Sequence, residues 1–156
     1  MYIWLKYIHI LSAMIMIGTT AVNGVLELRS THRQEAKLSA FTMEVVKLLN
    51  FALMLPSLIL LPVSGLLLAS EAGYSLKAPW LMYSIMLMFA LWAAFITGHF
   101  VETQMGKFAA KSAEKEEALA AGYFRFARYG TWIGTLATIA ALISLYMMVA
   151  KRPPFF

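Results

Sequence analysis

Four apolar stretches, each long enough to cross a lipid bilayer, dominate this sequence and leave few alternatives for its fold. A membrane-spanning helix needs about 20 mainly apolar residues, and stretches of that kind cover about residues 2–24, 47–69, 79–100 and 128–150. Hydrophobic residues make up 61% of the chain and charged residues 13%, whereas soluble domains are about half apolar and a quarter charged. The sequence therefore predicts an all-α membrane protein, with residues 1–156 forming a single domain built as an up-down bundle of four transmembrane helices.

The basic residues are distributed unevenly among the connecting segments. The first and third connections, with their helix flanks, hold nine Lys and Arg residues, whereas the termini and the second connection hold four. Cytoplasmic segments of membrane proteins carry the excess of Lys and Arg. We therefore expect both termini outside the cytoplasm, and we interpret the net charge of +5 as a result of this topology, not of nucleic-acid binding.

Several kinds of chemistry are excluded by what the sequence lacks. It contains no cysteine, which excludes disulfides, zinc–thiolate sites, iron–sulfur clusters and cysteine nucleophiles. It also lacks a phosphate-binding glycine loop, a Gly-x-Ser-x-Gly elbow and a His-Glu-x-x-His motif. No residue can be assigned a catalytic role on these grounds.

Two segments predict departures from four simple spans. Pro56 and Pro62 fall within the second apolar stretch, so we expect that helix to be kinked or locally unwound. The segment from Gly106 to Gly122 is rich in Ala, Lys and Glu. It predicts an extension of the third or fourth helix that lies partly outside the lipid.

Polar residues recur every three or four positions on the first helix and form one stripe along its height. Because polar groups are costly in lipid, the stripe predicts the face that points into the bundle. A packing seam is the other explanation, since small and hydroxylated residues let helices approach closely. The stripe comprises Lys6, His9, Ser12, Met16, Asn23 and Glu27, and a similar stripe on the second helix includes Lys47 and Asn50.

His9 is the main candidate site because it lies about two turns into the predicted first span. A neutral imidazole can ligate haem iron or another metal, relay protons, or simply hydrogen-bond a partner helix. His99 is the weaker metal candidate, at the opposite end of the bundle. The rise of about 1.5 Å per residue separates the two histidines by about 20 Å in depth, too far for both to ligate one haem.

A haem at His9 needs any second ligand from the same half of the bundle, where Met82 and Met86 are available. Methionine at helical spacing is more commonly core filler, so this ligand assignment stays open. Ser12 and Met16 would line the expected pocket. Lys6 would lie near the haem propionates or a quinone headgroup at the outer surface.

The opening Tyr2-Ile-Trp-Leu-Lys-Tyr-Ile-His9-Ile resembles the first helix of HemJ-type protoporphyrinogen oxidases and of CopD-type copper-resistance membrane proteins. Both are small helical membrane families with a histidine at this place. The HemJ resemblance implies a haem b cofactor and oxidation of protoporphyrinogen. The third helix departs from the HemJ pattern Trp-Leu-His-x-Lys, because Met82 and Ser84 occupy the histidine and lysine positions. This departure argues against HemJ chemistry but leaves a haem site at His9 open.

A closer resemblance covers nearly the whole chain. The Leu-Lys-Tyr-Ile-His-Ile-Leu opening, the run from Leu55-Pro56 to Ser64-Gly65-Leu66, and the Leu-Tyr-Met-Met-Val-Ala-Lys-Arg-Pro ending are similar to a bacterial family of predicted integral membrane proteins of unknown function. This resemblance implies a multi-pass protein of the bacterial inner membrane.

The favoured hypothesis is a haem b-binding membrane protein with a redox role, either an electron carrier or a porphyrin- or quinone-linked oxidoreductase, with His9 as axial ligand. Its expected partners are the lipid bilayer and either a second copy or a respiratory redox protein. One alternative is a non-catalytic subunit or scaffold. The other is a small-solute or proton pathway formed by an oligomer, which would use His9, Asn23, Glu27, Lys47 and Asn50.

Overall fold

Four long helices make up the structure, a computed structural model that describes residues 1–153. They are connected in an up-down order, as predicted for an all-α membrane bundle. The second helix is continuous from Ala36 to Glu71, and one turn within it has π-helical geometry. The elements are α1 (Tyr2–Arg33), α2 (Ala36–Leu49), the π turn (Asn50–Met54), α3 (Leu55–Glu71), α4 (Pro79–Glu114) and α5 (Ala121–Ala150).

The helices are longer than the bilayer is thick. They contain 30 to 36 residues each, which corresponds to about 45–54 Å against a hydrocarbon core of about 30 Å. We call the end that carries residues 34–35 and 115–120 the loop end, and the end that carries residues 1, 72–78 and 151–153 the terminal end. At the terminal end the predicted spans have nearly the same bounds as the helices, whereas at the loop end the helices extend beyond the predicted spans.

The segment from Gly106 to Gly122 confirms the expected extension. Residues 106–114 continue α4, and residues 121–122 begin α5. A short connection therefore joins two helices that both extend past their apolar stretches. An exposed ion pair between Lys37 and Glu116, 3.1 Å long, links this connection to α2.

Helix pairing leaves room inside the bundle. α4 packs along α5, α1 packs on α3, and α2 packs on α4, whereas α3 has little contact with α4 and α1 little with α5. Among the described residues, α1 and α4 make no close backbone contact and lie diagonally across the bundle. The α1–α3 pair and the α4–α5 pair therefore diverge, and an opening lies between them.

Three apolar clusters stack along the bundle, and the largest lies at the loop end. Val46, Ala109 and Tyr123 are fully buried there. Outside the hydrocarbon the hydrophobic effect drives apolar side chains together, whereas within lipid it provides no such force. The other clusters are accordingly smaller. The loop-end cluster contains Met43, Val46, Val101, Met105, Ala109, Leu119, Tyr123 and Ala127, the middle one Met16, Leu58, Leu91 and Ala141, and the terminal one Ala69, Trp80 and Leu81.

The irregularity expected near Pro56 is a turn of π-helix. Proline has no N–H to donate to the carbonyl four residues earlier, which here belongs to Ala52 within the turn. The helix widens over Asn50–Met54 and returns to α geometry at Leu55. The prediction of local unwinding is thus confirmed just before Pro56, whereas at Pro62 the helix keeps α geometry.

Candidate functional site

A cavity of about 620 Å³ lies in the opening between the two helix pairs. Small-molecule sites in proteins have volumes of about 300–1,000 Å³ and are mostly apolar with a few polar groups. The cavity fits this description, since its walls are mainly apolar. Its main polar members are Asn23, Glu27, Asn50, His99 and Glu102.

A chain of hydrogen bonds crosses the bundle at this level. Asn23 Nδ2 donates to Asn50 Oδ1 over 2.8 Å, and Asn50 Nδ2 donates to Glu102 Oε2 over 2.6 Å. The chain therefore joins α1, the first residue of the π turn and α4. Turns of π-helix are frequent at functional sites. Here the turn places the Asn50 amide, which is 2% exposed, between the other two groups.

Both amides of this chain donate toward α4, so the Asn23 amide oxygen at its start receives no hydrogen bond from a described residue. With Glu102 Oε2 as the acceptor, Asn50 presents its Oδ1 to Asn23, which donates to it through Nδ2. Among the described residues Asn23 Oδ1 and His99 Nδ1 have no hydrogen-bond partner. A buried polar group without a partner costs about 1–3 kcal/mol. Such groups call for a specific explanation.

Aromatic rings hold His99 in its place. The imidazole lies edge-on to Phe51 at 5.2 Å and is stacked with Phe95 at 6.5 Å, both measured between ring centroids. Phe51 belongs to the π turn and Phe95 lies one turn before His99 on α4. The ring is thus oriented from two elements that also border the cavity.

Glu27 faces the same cavity from α1. Its Oε2 lies 3.8 Å from the position that a Cβ on Gly130 would take. Neither Glu27 nor Glu102 takes part in an ion pair with another described residue. Arg128 also lines the cavity, but its side chain is exposed at the rim. Glu27 and Glu102 therefore border the same cavity, and neither carboxyl group forms an ion pair with a described residue.

Glycines keep this space open. Gly24, Gly98 and Gly134 line the cavity, and a Cβ added at any of them would meet no packing partner within 4 Å. A glycine that permits close packing would meet such a partner, as Gly130 does with Val101 at 3.4 Å. Glycine at these three positions therefore widens the cavity instead of bringing helices together.

The structure brings together part of the predicted set and adds one residue to it. Met16, Asn23, Glu27, Asn50 and His99 all border the cavity. Lys47 is exposed on α2 and does not border it. Glu102 was not singled out from the sequence, although it follows His99 by three positions, which places both on one helix face. That spacing was the available signal.

His9 forms a separate site between α1 and α3. Its Nδ1 lies 3.0 Å from the Leu61 carbonyl oxygen and 3.1 Å from Ser64 Oγ. Ser64 Oγ already donates to the Leu60 carbonyl over 2.6 Å, so both neighbours of Nδ1 accept. Nδ1 therefore carries the proton, and Nε2 has a free lone pair. The ring packs on Gly65, where a Cβ would lie 2.8 Å from His9 Cε1.

The other predicted cofactor residues do not gather around His9. Met82 and Met86 on α4 are 49% and 63% exposed, and α4 is not a neighbour of α1. Ser12 is buried and borders a smaller cavity of about 280 Å³ between α1, the π turn and α3, which His9 does not line. Among the described residues no three His, Cys, Asp or Glu side chains form a group that could hold a metal ion.

Lys6 lies at the terminal end. It is near Lys151, whose Nζ lies 4.4 Å from the Trp80 ring centroid and 5.1 Å from the Tyr74 ring centroid. Partial burial, with a smaller contribution from the positive charge of Lys6, lowers the pKa of Lys151. Lys6 therefore belongs to a cationic and aromatic cluster at the membrane surface, away from the cavity.

The fold and the comparisons with known proteins agree on the class of protein. Four helices long and apolar enough to cross a bilayer define an integral, multi-pass membrane protein. The chain belongs to a family described as predicted integral membrane protein (DUF2269), whose family model matches residues 3–152. No curated protein and no solved structure matches the chain. The predicted membership of a family of integral membrane proteins is confirmed, and the resemblance to HemJ-type and CopD-type proteins stays a prediction.

The hydrogen-bond chain generates a prediction for Asn50. Substitution Asn50→Ala removes the partner of both Asn23 and Glu102, so we expect the free energy of unfolding to fall by about 1–3 kcal/mol. The effects of Asn50→Ala and Asn23→Ala should be less than additive, because each breaks the same bond. The measurement is unfolding of the detergent-solubilised protein by SDS. Gln104→Ala is the control, since the Gln104 side chain makes no hydrogen bond with another described residue. Additive effects of the two Asn substitutions would contradict the chain.

Proposed function

We propose that this protein is a membrane solute-binding protein whose ligand occupies the cavity between α1 and α4. The observation that carries the proposal is a polar site in a mainly apolar cavity: Glu27, Glu102 and Asn23 border a space of about 620 Å³. Ionisable residues within membrane bundles are costly and commonly mark substrate or ion pathways. The site therefore supports the small-solute pathway among the functions considered from the sequence.

A simple packing seam does not account for the same features. A seam brings small residues into contact and satisfies its polar groups across the helices. Here three glycines face open space, and Asn23 Oδ1 and His99 Nδ1 lack partners among the described residues. The cavity is lined by residues of a single chain, so the proposal requires no second copy to form the site.

Filling the cavity tests this proposal. Substitution Gly98→Leu places a side chain in the open space, so we expect the folded bundle to persist and solute binding to weaken about tenfold or more. The probe is 1-naphthalenemethanol, titrated calorimetrically into the protein in phosphatidylcholine nanodiscs, with empty nanodiscs subtracted. Gly18→Leu is the matched control, because Gly18 also faces open space but does not line the cavity. Equal binding by both variants and the unsubstituted protein would overturn the proposal.

A second candidate function, haem b binding with a redox role, is supported by the position of the proton on His9. Metal-ligating histidines commonly donate one ring N–H to a carbonyl and use the other nitrogen as ligand. His9 Nδ1 makes that donation to Leu61, which leaves Nε2 available. A bound haem would supply one-electron chemistry. His9 would be its protein ligand at the α1–α3 surface, because Met82 and Met86 lie on a helix that is not adjacent.

Visible absorption spectroscopy tests the haem candidate. After addition of haemin to the detergent-solubilised protein and removal of unbound haemin by gel filtration, we expect a Soret band that shifts on reduction with dithionite. His9→Ala should abolish the band, since it removes the ligand, whereas His99→Ala should leave it unchanged. A protein that stays colourless with haemin, or that loses colour only with His99→Ala, would rule out His9 as the ligand.

We also propose that the protein lies in the bacterial inner membrane with both termini outside the cytoplasm. The nine basic residues of the first and third connections and their flanks belong to the loop-end half of the bundle, and the four others to the terminal end. This asymmetry supports a cytoplasmic loop end.

Reporter fusions test the orientation. Alkaline phosphatase is active only outside the cytoplasm and green fluorescent protein fluoresces well only inside it. We expect a C-terminal phosphatase fusion to be active and a C-terminal fluorescent fusion to be dark, because the terminal end carries few basic residues. Insertion of the reporters in residues 115–120 should reverse both results. Fluorescence at the C-terminus would contradict the orientation.

A further inference from the structure

We infer that the solute bound in this cavity is a lipophilic organic ammonium, an amine with N–H donors attached to an apolar body about the size of an aromatic ring system. The inference rests on the proposed function, because it specifies the chemistry of the ligand at the same site. Its basis is the imbalance between hydrogen-bond acceptors and donors in the cavity wall, together with the distribution of apolar residues.

Three hydrogen-bond acceptors lie at one level of the cavity. The carboxyl groups of Glu27 and Glu102 border the space, and Asn23 Oδ1 is a buried acceptor without a donor. Asn23 is 6% exposed, so solvent does not satisfy that oxygen. The Asn50 amide connects two of these groups, accepting from Asn23 and donating to Glu102.

Four of the five threonines in the cavity wall donate their hydroxyl hydrogens within their own helices, and the fifth, Thr31, makes no side-chain hydrogen bond with another described residue. Each of four threonines donates to a carbonyl one turn earlier on its own helix, over 2.8 to 2.9 Å. A hydroxyl has a single hydrogen to donate, so these groups present acceptor lone pairs to a ligand. The four are Thr20, Thr131, Thr135 and Thr138, all of which line the cavity.

Among the described residues, no Lys or Arg side chain forms an ion pair with Glu27 or Glu102. Arg128 lines the cavity but is exposed at its rim and forms no ion pair with either glutamate. A ligand that brings its own positive charge and its own N–H donors would meet the acceptors that the wall leaves free. A charged N–H to carboxylate bond is about twice as strong as a neutral one, which selects an ammonium over a neutral donor.

The rest of the cavity suits an apolar body. Met16, Leu58, Leu91 and Phe95 border it on the side toward the middle apolar cluster. Gly98 and Gly134 each leave open space at this part of the wall, since an added Cβ at either would meet no packing partner within 4 Å. The two halves of the site together therefore fit an amphipathic cation.

Three probes that share one ring system test the inference. They are 1-naphthylmethylamine, which is protonated at neutral pH, 1-naphthalenemethanol, which is neutral, and 1-naphthoic acid, which is an anion. Each is titrated calorimetrically at neutral pH into the full-length protein in phosphatidylcholine nanodiscs, with empty nanodiscs subtracted. We expect the amine to bind about tenfold or more tightly than the alcohol, and the acid not to bind.

The double variant Glu27→Gln with Glu102→Gln locates the preference. Circular dichroism and gel filtration in detergent check that it is folded, and it should bind the amine no more tightly than the alcohol. The matched control is Glu44→Gln with Glu114→Gln, which removes two exposed carboxylates from α2 and α4 and should retain the preference. If the double variant does not fold, the single variants should each reduce the preference part of the way.

The outcomes separate the two proposals. If the alcohol or the acid binds as tightly as the amine to the unsubstituted protein, the ligand class is wrong while the solute site stands. A preference for the amine that survives removal of both glutamates would place its origin elsewhere and also overturn the inference. If none of the three probes binds, the solute site itself is wrong.

Discussion

The mismatch between helix length and bilayer thickness organises this molecule. Helices of 30 to 36 residues exceed a hydrocarbon core of about 30 Å, so part of their length packs outside it, at the loop end where the helices extend past the apolar stretches. In that part the hydrophobic effect acts between helices and forms the largest apolar cluster, around Tyr123 and Ala109. Within the lipid it does not, and the helix pairs diverge there. The cavity is a consequence of packing forces that differ along one set of helices.

Asn50 lies where these two regimes meet. It separates the loop-end cluster from the middle cluster and connects α1 to α4, which otherwise make no close contact in the described part of the chain. The π turn is what allows this, since widening the helix by part of a turn changes the direction of the residues that follow. Pro56 withholds one backbone donor from the same stretch and so favours the widened geometry. One polar side chain thus fixes the spacing of three helices.

The sequence was sufficient to predict the spans and their order, which follow from the length of the apolar stretches. It was also sufficient for the irregularity near Pro56, which follows from proline chemistry, and for the inward direction of Asn23 and Glu27, which follows from the helical period. It was not sufficient for Glu102 or for the glycines. Glu102 follows the third apolar stretch and is typical of a solvated helix end; only the packing of α2 on α4 brings it against Asn50. A glycine that widens a cavity and a glycine that permits close packing are identical in sequence. Helix separation decides between them.

The arrangement of His9 and of the cavity shows why one polar stripe does not mean one site. His9 and Asn23 lie on the same face of α1, but the helix that packs on that face changes along its length. Near His9 it is α3, which satisfies Nδ1 with Leu61 and Ser64. Near Asn23 the face meets the π turn and the opening toward α4, where an acceptor is left unpaired. One continuous stripe therefore has its polar groups paired within the protein at one end, whereas at the other end it contains an acceptor with no partner among the described residues.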